Sequence, residues 1–205
     1  MRPSQCIECK GFPCTGVKHK RYIVPEVEIK PQKVTIVLVS EAAPPDPEDY
    51  YYAGGDSLFQ QTTVQAFNDA GIKVTSVRDI VSMGVYLTTA IKCGKTGYGV
   101  PAKAIEQCSH LLEQELDLFP HAQAYLLMGD VAIKALNYIA LRSDSGRVIP
   151  AGSTYKIRGQ EFRYRGKRVF PSYLQAGPSF FIEKSKRQMI AQDIAAAWNE
   201  VFAKR

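Results

Sequence analysis

Four of the five cysteines in this 205-residue chain fall into two widely separated pairs, and this arrangement constrains the fold more than any other feature. Cys6 and Cys9 form a C-x-x-C motif near the amino terminus, and Cys93 and Cys108 lie about eighty residues further on. A four-iron cluster or a zinc ion needs four thiolates that converge on one point. If these cysteines form such a site, the fold must bring the start of the chain to its middle.

Three interpretations of the cysteines stay open at this point. They hold a [4Fe–4S] cluster, they hold zinc, or Cys93 and Cys108 are small buried side chains that bind no metal. We favour the cluster, because spaced cysteines in a reducing compartment point to metal or cluster binding rather than to disulfides. Cys14 follows in the same segment and could replace one of the first pair, but its longer spacing favours it as a spare thiol.

The composition is that of an ordinary globular domain, with 45% hydrophobic and 22% charged residues. No apolar run approaches the roughly 18 residues of a membrane-spanning helix, and the first residues contain no hydrophobic signal region. We therefore expect one domain over residues 1–205 in a cytoplasmic monomer without membrane contact. Residues 1–32, rich in proline, are expected to form a loop-like extension that carries the first cysteines.

The net charge of +6 is unevenly distributed along the chain. Residues 1–33 contain 7 Lys and Arg against 3 Asp and Glu, and residues 156–187 contain 9 against 2. Residues 34–155 are acidic, with 8 against 13. If the fold joins the two basic flanks, they form a surface suited to a phosphate backbone; the alternative is a solvated basic surface.

Strand-like and helix-like segments alternate along the chain, which predicts a three-layer α/β sandwich around a mainly parallel four-stranded sheet. Short apolar or β-branched runs predict strands at 33–40, 85–91, 124–128 and 168–173 and a hairpin at 154–165. Helices are predicted at 57–70 with Asp56 as the cap, at 101–116 and 130–140, and from 182 onward. Functional loops of parallel sheets follow the carboxyl ends of the strands. Here those loops begin at Glu41, Thr89, Gly129 and Ser172.

Five segments carry a family resemblance in their order along the chain. They are IVLVSEAAP (36–44), YYYAGGDSLF (50–59), VYLTTAIKC (85–93), YLLMGDVA (125–132) and FPSYLQ (170–175). Together with the cysteines, these segments resemble the uracil-DNA glycosylase superfamily, especially its iron–sulfur-containing, thermophile-type (family 4-like) branch.

The resemblance implies a repair enzyme that flips a deaminated or otherwise altered base out of DNA and hydrolyses its N-glycosidic bond. It implies a structural [4Fe–4S] cluster that braces loops near the DNA and does no redox chemistry in base removal. Glu41 would position water or contact the base, and Thr89 would contact the base edge. The other implied site residues are Ala42, Tyr51 and Tyr52 for the base, Lys167, Arg168, Ser172 and Ser179 for DNA, and Cys6, Cys9, Cys93 and Cys108 for the cluster.

Two positions depart from the family pattern. Thr89 occupies the place of an asparagine, and one hydroxyl cannot make the two-armed contact of an amide. Leu174 occupies the place of a histidine that stabilises negative charge on the departing base. These departures favour a rival, a non-catalytic nucleic-acid-binding protein of the same fold. A redox-sensing cluster protein is a third, weaker interpretation.

Overall fold

The computed structural model describes residues 1–97 and 99–203, and its centre is a six-stranded sheet. The strands are β1 (Val17–Lys18), β2 (Ile36–Ala43), β3 (Val85–Lys95), β4 (Ala124–Met128), β5 (Phe162–Tyr164) and β6 (Lys167–Ser172). The four central strands are parallel, in the order β3-β2-β4-β6, and the short strands β1 and β5 pair antiparallel at the two sides of the sheet.

Helices cover both faces of this sheet, which explains why the strands β2, β3 and β4 are buried along nearly their whole length. The helices are α1 (Leu58–Asp69), α2 (Val77–Ser82), α3 (Ala102–Asp117), α4 (Asp130–Arg142), α5 (Thr154–Ile157), α6 (Ser179–Ile182) and α7 (Lys184–Phe202). Alternate residues of β2 point to opposite faces of the sheet: Val37 and Val39 belong to the core under α3 and α4, and Ile36 and Leu38 to the core under α1 and α7. The predicted three-layer sandwich is therefore confirmed.

Local differences from the predicted elements have clear causes. The cap of α1 is Ser57 rather than Asp56, because the Ser57 hydroxyl accepts the Gln60 backbone N–H at 3.3 Å. The unpredicted helix α2 begins with a capping box between Ser76 and Asp79. The expected hairpin begins later than predicted, at Phe162, and residues 154–157 form a helical turn instead.

The amino-terminal segment lies along the free edge of β3. Its chain is fixed there by a backbone hydrogen bond from Ile23 to the Lys92 carbonyl at 2.7 Å and by the pairing of β1 with Gly94 and Lys95. The amino-terminal segment passes so close to Gly94 that a Cβ added at Gly94 would lie 3.0 Å from the Cβ of Arg21. The start of the chain therefore meets its middle, as a shared cysteine site requires.

Candidate active site and cysteine cavity

The four parallel strands end side by side at one edge of the sheet, called here the carboxyl-terminal edge. Ligands of open parallel sheets bind at this edge. The Gly129 N–H, just after β4, donates to the Ser172 carbonyl at the end of β6 at 2.9 Å. This hydrogen bond holds the ends of β4 and β6 next to each other. The residues that reach this edge are Glu41 of β2, Lys95 of β3, Gly129 and Ser172.

Glu41 is held at this edge by two neighbours. Its Oε2 accepts from the Lys95 Nζ at 2.6 Å, and the side chains of the pair are 15% and 22% exposed. Gly129 has a φ of +99°, and a Cβ there would lie 2.6 Å from the Glu41 Oε1. Any other residue at position 129 would be strained and would displace the carboxylate. The arrangement presents a fixed, partly exposed carboxylate beside a cation.

Thr89 is fully buried in β3, and its hydroxyl donates to the Ile91 carbonyl at 3.0 Å. The Tyr50 hydroxyl lies beside it and is buried, and it makes no hydrogen bond of normal geometry among the described residues. An unpaired buried polar group costs roughly 1–3 kcal/mol. Ala42, expected to contact the base, is 5% exposed. The structure thus places the two predicted site residues, Thr89 and Ala42, near the carboxyl-terminal edge of the sheet but beneath the protein surface.

Tyr51 and Tyr52, the expected stacking residues, have other partners in this conformation. Tyr51 is fully buried, and its hydroxyl bonds to Ser40 and accepts from the Gln175 Nε2 at 2.8 Å. The Tyr52 hydroxyl donates to the Leu87 carbonyl at 2.9 Å and accepts the Leu87 N–H at 3.1 Å. The Tyr51 ring therefore has no free face, whereas Tyr52 is partly buried against the core that contains residues of α1 and α7.

Lys167 and Arg168, expected to contact DNA, lie at the opposite edge of the sheet. They open β6, and parallel register places Arg168 beside Ala124 at the start of β4. The Lys167 ammonium donates to the Ala122 carbonyl at 2.8 Å, and the Arg168 guanidinium lies 4.8 Å from the centre of the Phe170 ring. The fold therefore separates these two cations from Glu41.

The two serines expected at the DNA differ in exposure. Ser172 is fully buried, and its hydroxyl donates to Asp193 at 2.6 Å. Burial raises the pKa of the Asp193 carboxyl, while the Arg158 guanidinium at 2.8 Å acts in the opposite direction. Ser179 is exposed in the connection that follows β6. Only Ser179 is open to a ligand in this conformation.

A cavity of about 220 Å³ beside β3 and α3 is lined by four cysteines. Cys93 comes from β3 and Cys108 from the inner face of α3, where its sulfur accepts the Lys92 backbone N–H at 3.3 Å. The amino-terminal segment supplies the other two thiols. The cavity also includes Tyr22, whose hydroxyl accepts the Cys9 N–H at 3.1 Å. The four cysteines are Cys9, Cys14, Cys93 and Cys108.

The thiols of this cavity influence one another electrostatically. Burial, with a smaller contribution from the neighbouring thiols, raises the pKa of Cys93 to about 12 and that of Cys108 to about 11. Burial also raises the pKa of Cys14. A metal group binds thiolates, so ligand binding here would release protons. Four thiols that line one cavity are a donor set that suits a thiophilic group.

The position of Cys6 differs from the predicted ligand set. Its side chain is exposed, with the sulfur 3.8 Å from the Arg2 carbonyl, and Cys14 lines the cavity in its place. Gly11 and Phe12, between Cys9 and Cys14, have positive φ values, and Cys14 is buried, which its spacing did not predict. Within residues 1–97 and 99–203, no group of three or more His, Cys, Asp or Glu side chains is arranged to hold a single metal ion.

The sequence profile of the Uracil DNA glycosylase superfamily matches residues 27–201 of the chain. The chain belongs to the uracil-DNA glycosylase superfamily. The superfamily prediction made from the ordered motifs is thereby confirmed. The match includes Glu41, Thr89 and Leu174, and it begins after the cysteines of the amino-terminal segment.

Two proteins show what this superfamily member is similar to. A Type-5 uracil-DNA glycosylase of Thermus thermophilus is 29% identical over 96 residues, which are 46% of this chain and 41% of that relative. The chain thus matches less than half the length of this curated relative. The crystal structure of wild-type UNG from Nitratifractor salsuginis is 14% identical, with a TM-score of 0.45 over 85% of this chain and 80% of that one.

Four features of this superfamily member were missed or misjudged in its sequence. Lys95 and Gln175 belong to no motif whose spacing would identify them as site residues. The sequence favoured Cys14 as a spare thiol outside the ligand set, whereas it lines the cysteine cavity. The apolar side chains exposed after β6 are Phe181 and Ile182, at 43% and 77%, whereas Phe180 is buried. Among the described residues, no helix is long and apolar enough to cross a membrane.

Proposed function

We propose that this protein is a DNA glycosylase that removes a deaminated or otherwise altered base, with uracil as the first candidate. The observation that carries the proposal is the Glu41 carboxylate, fixed by Lys95 and Gly129 at the edge where ligands of such sheets bind. A fixed carboxylate in a superfamily of glycosylases suits water positioning. Hydrolysis of a glycosidic bond needs such a group.

The chemistry assigns a definite part to Glu41. As the bond between C1′ and the base nitrogen breaks, its electron pair leaves with the base and positive charge develops on the sugar. Water adds to C1′ and gives up a proton. An ionised Glu41 would orient that water, accept its proton and stabilise the sugar cation through a short electrostatic contact.

Two buried hydroxyls support base recognition next to this carboxylate. Thr89 and Tyr50 lie together, and the Tyr50 hydroxyl makes no hydrogen bond of normal geometry within the described residues. A base edge that carries both donors and acceptors would satisfy it. Because both residues are covered in this conformation, base entry requires the 50–56 segment to move outward. Tyr51 and Tyr52 then become available as stacking surfaces.

DNA binding is supported by two exposed features at the same edge. Lys18, Lys20 and Arg21 are exposed where the amino-terminal segment meets the end of β3. Phe181 and Ile182 are exposed in the connection after β6. Cations suit the phosphate backbone, and an exposed apolar pair can wedge between base steps.

The cysteine cavity suits a [4Fe–4S] cluster, which we propose as a structural cofactor. Cys9, Cys14, Cys93 and Cys108 would be its ligands, and zinc is the alternative group. When bound, the cluster supplies a cross-link and takes no part in base hydrolysis. Four thiols from the amino-terminal segment, β3 and α3 would tie that segment to the strand that carries Thr89 and Lys95.

The rival function is a non-catalytic nucleic-acid-binding protein. Two observations favour it: Thr89 is buried with its hydroxyl already bonded, and Leu174 provides no hydrogen-bond donor. This rival keeps the basic edge and the cysteine cavity but performs no hydrolysis.

Product assays on defined duplexes test the proposal. Duplexes that contain uracil, hypoxanthine, xanthine or mismatched thymine are incubated with the protein and then treated with alkali, which cleaves the strand at abasic sites. We expect strand cleavage on at least one duplex and none on the unmodified control. Binding to all four duplexes without abasic product on any would support the rival instead.

A further inference from the structure

The candidate active site has no histidine to stabilise the departing base, although the chain contains three histidines. The His19 Nε2 lies 2.8 Å from the Cys14 carbonyl, and His110 lines the cysteine cavity. His121 is exposed just before β4, at the opposite edge of the sheet. Leu174 offers no donor. Negative charge on a departing base therefore needs another source of stabilisation.

The two lysines near the end of β3 have different environments. Lys92 is fully buried, and its ammonium contacts Glu115, the Thr88 hydroxyl and the Thr89 carbonyl, so no donor remains for a ligand. Lys95 ends the strand at the carboxyl-terminal edge and is 22% exposed; among the described residues its ammonium donates to Glu41 at 2.6 Å. An ammonium has three N–H donors, so Lys95 retains donors that can reach a ligand.

Resting on the proposed glycosylase function, we infer that Lys95 is a catalytic residue that stabilises the negative charge of the departing base. As the C1′–N bond breaks, the electron pair moves onto the base and positive charge remains on the sugar. The ion pair of Glu41 and Lys95 matches this charge separation, with the carboxylate toward the sugar and the ammonium toward the base. Water supplies the oxygen to C1′, and the proton that Glu41 accepts from it is passed on to the base anion, so no other reactant is needed.

This role predicts that the effect of Lys95 depends on the leaving group. Fluorine stabilises the anion of 5-fluorouracil, so its departure requires less electrostatic help than that of uracil. A residue that only supports the fold would affect both substrates equally, because a loss of folded protein scales both rates by the same factor. The ratio of the two rates therefore reports the charge-stabilising role, whatever fraction of the protein is active.

The test measures single-turnover rates on uracil and 5-fluorouracil duplexes for the wild type, Lys95→Met and Lys95→Arg. Lys134→Met is the matched control, because Lys134 pairs with Asp130 at 2.5 Å in an exposed ion pair on α4. For Lys95→Met we expect a loss of roughly 10²-fold on uracil and a several-fold smaller loss on 5-fluorouracil. Lys95→Arg should recover part of the rate, and Lys134→Met should match the wild type.

Equal losses on both substrates in Lys95→Met, or a uracil rate within threefold of the wild type, would overturn the role of Lys95. A wild-type protein that is inactive on both duplexes, and on the hypoxanthine, xanthine and mismatched-thymine duplexes, would instead overturn the proposed function. The two failures are thus separate: the first requires an active wild type, and the second is seen without any variant.

Discussion

Lys92 and Glu115 form a fully buried ion pair between β3 and α3. The same carboxylate accepts from the Tyr86 hydroxyl at 2.6 Å and from the Thr88 hydroxyl at 2.9 Å. The pair also links the two sites, because the Lys92 backbone N–H reaches Cys108 and its ammonium reaches the Thr89 carbonyl. Removing one partner would leave the other charge buried without compensation.

We therefore expect Glu115→Ala to lower the free energy of unfolding by about 3–5 kcal/mol. The double variant Lys92→Met/Glu115→Leu should lose less than Glu115→Ala, because no unpaired charge remains. Urea unfolding followed by circular dichroism measures both. A loss below about 1 kcal/mol in Glu115→Ala would show that the pair does not hold β3 to α3.

The assignment of Cys14 as a ligand predicts different outcomes for two serine variants. Cys14→Ser should lose most of its iron and its absorbance near roughly 400 nm, because it removes a thiol that lines the cavity. Cys6→Ser should retain both, since Cys6 is exposed outside the cavity. Iron and sulfide are assayed after anaerobic purification. Loss of iron in Cys6→Ser with retention in Cys14→Ser would restore the ligand set predicted from the C-x-x-C motif.

The ion pair between Asp69 at the end of α1 and Arg187 in α7 predicts a pH-dependent contribution to stability. The hydrogen bond from Arg187 lowers the pKa of Asp69 below its usual 3.8 in the folded state. A lowered carboxyl pKa contributes stability above the unfolded-state pKa, and this contribution is lost as the pH falls through the folded-state value.

Asp69→Asn should therefore reduce the free energy of unfolding at pH 7 by up to about 1 kcal/mol, since the pair is partly exposed. The difference from the wild type should shrink as the pH falls below about 4. Urea unfolding at several pH values gives the curve. A difference that stays constant between pH 7 and pH 3 would rule out the charge pairing as its source.

Exposed apolar side chains after β6 predict a selective effect on duplex binding. The double variant Phe181→Ser/Ile182→Ser should bind duplex DNA roughly tenfold more weakly, because it removes the wedge between base steps. Leu141→Ser is the control, being 49% exposed at the end of α4. Fluorescence anisotropy on duplex and single-stranded DNA measures the change. Equal weakening in the control variant would contradict the assignment.

The architecture was predictable because its signals are local. The short apolar runs of β2, β3 and β4, β-branched in β2 and β3, predict buried strands directly, and proline and glycine lie near their ends. The place of Lys167 and Arg168 could also have been predicted. They are the first residues of β6, and in a parallel sheet the start of a strand lies at the edge opposite the functional loops. Treating them as site residues overlooked the strand direction.

The missed site features depend on long-range packing. Nothing local shows that Cys14 turns inward while Cys6 points outward, or that Tyr51 is buried against Ser40 and Gln175. The contact between Glu41 and Lys95 joins residues 54 positions apart across a bulge between β2 and β3. Such contacts are set by strand register, which composition and spacing do not specify.

The central claim is that Glu41 supports base hydrolysis, and simultaneous measurement of binding and base release tests it most directly. One sample of protein and uracil duplex is analysed by anisotropy for binding and by mass spectrometry for free base, using the wild type, Glu41→Gln and the control Glu48→Gln. We predict free uracil from the wild type and Glu48→Gln, and a loss of roughly 10²-fold or more in Glu41→Gln with binding retained. Tight binding without free base in the wild type, or equal release by Glu41→Gln, would contradict the claim.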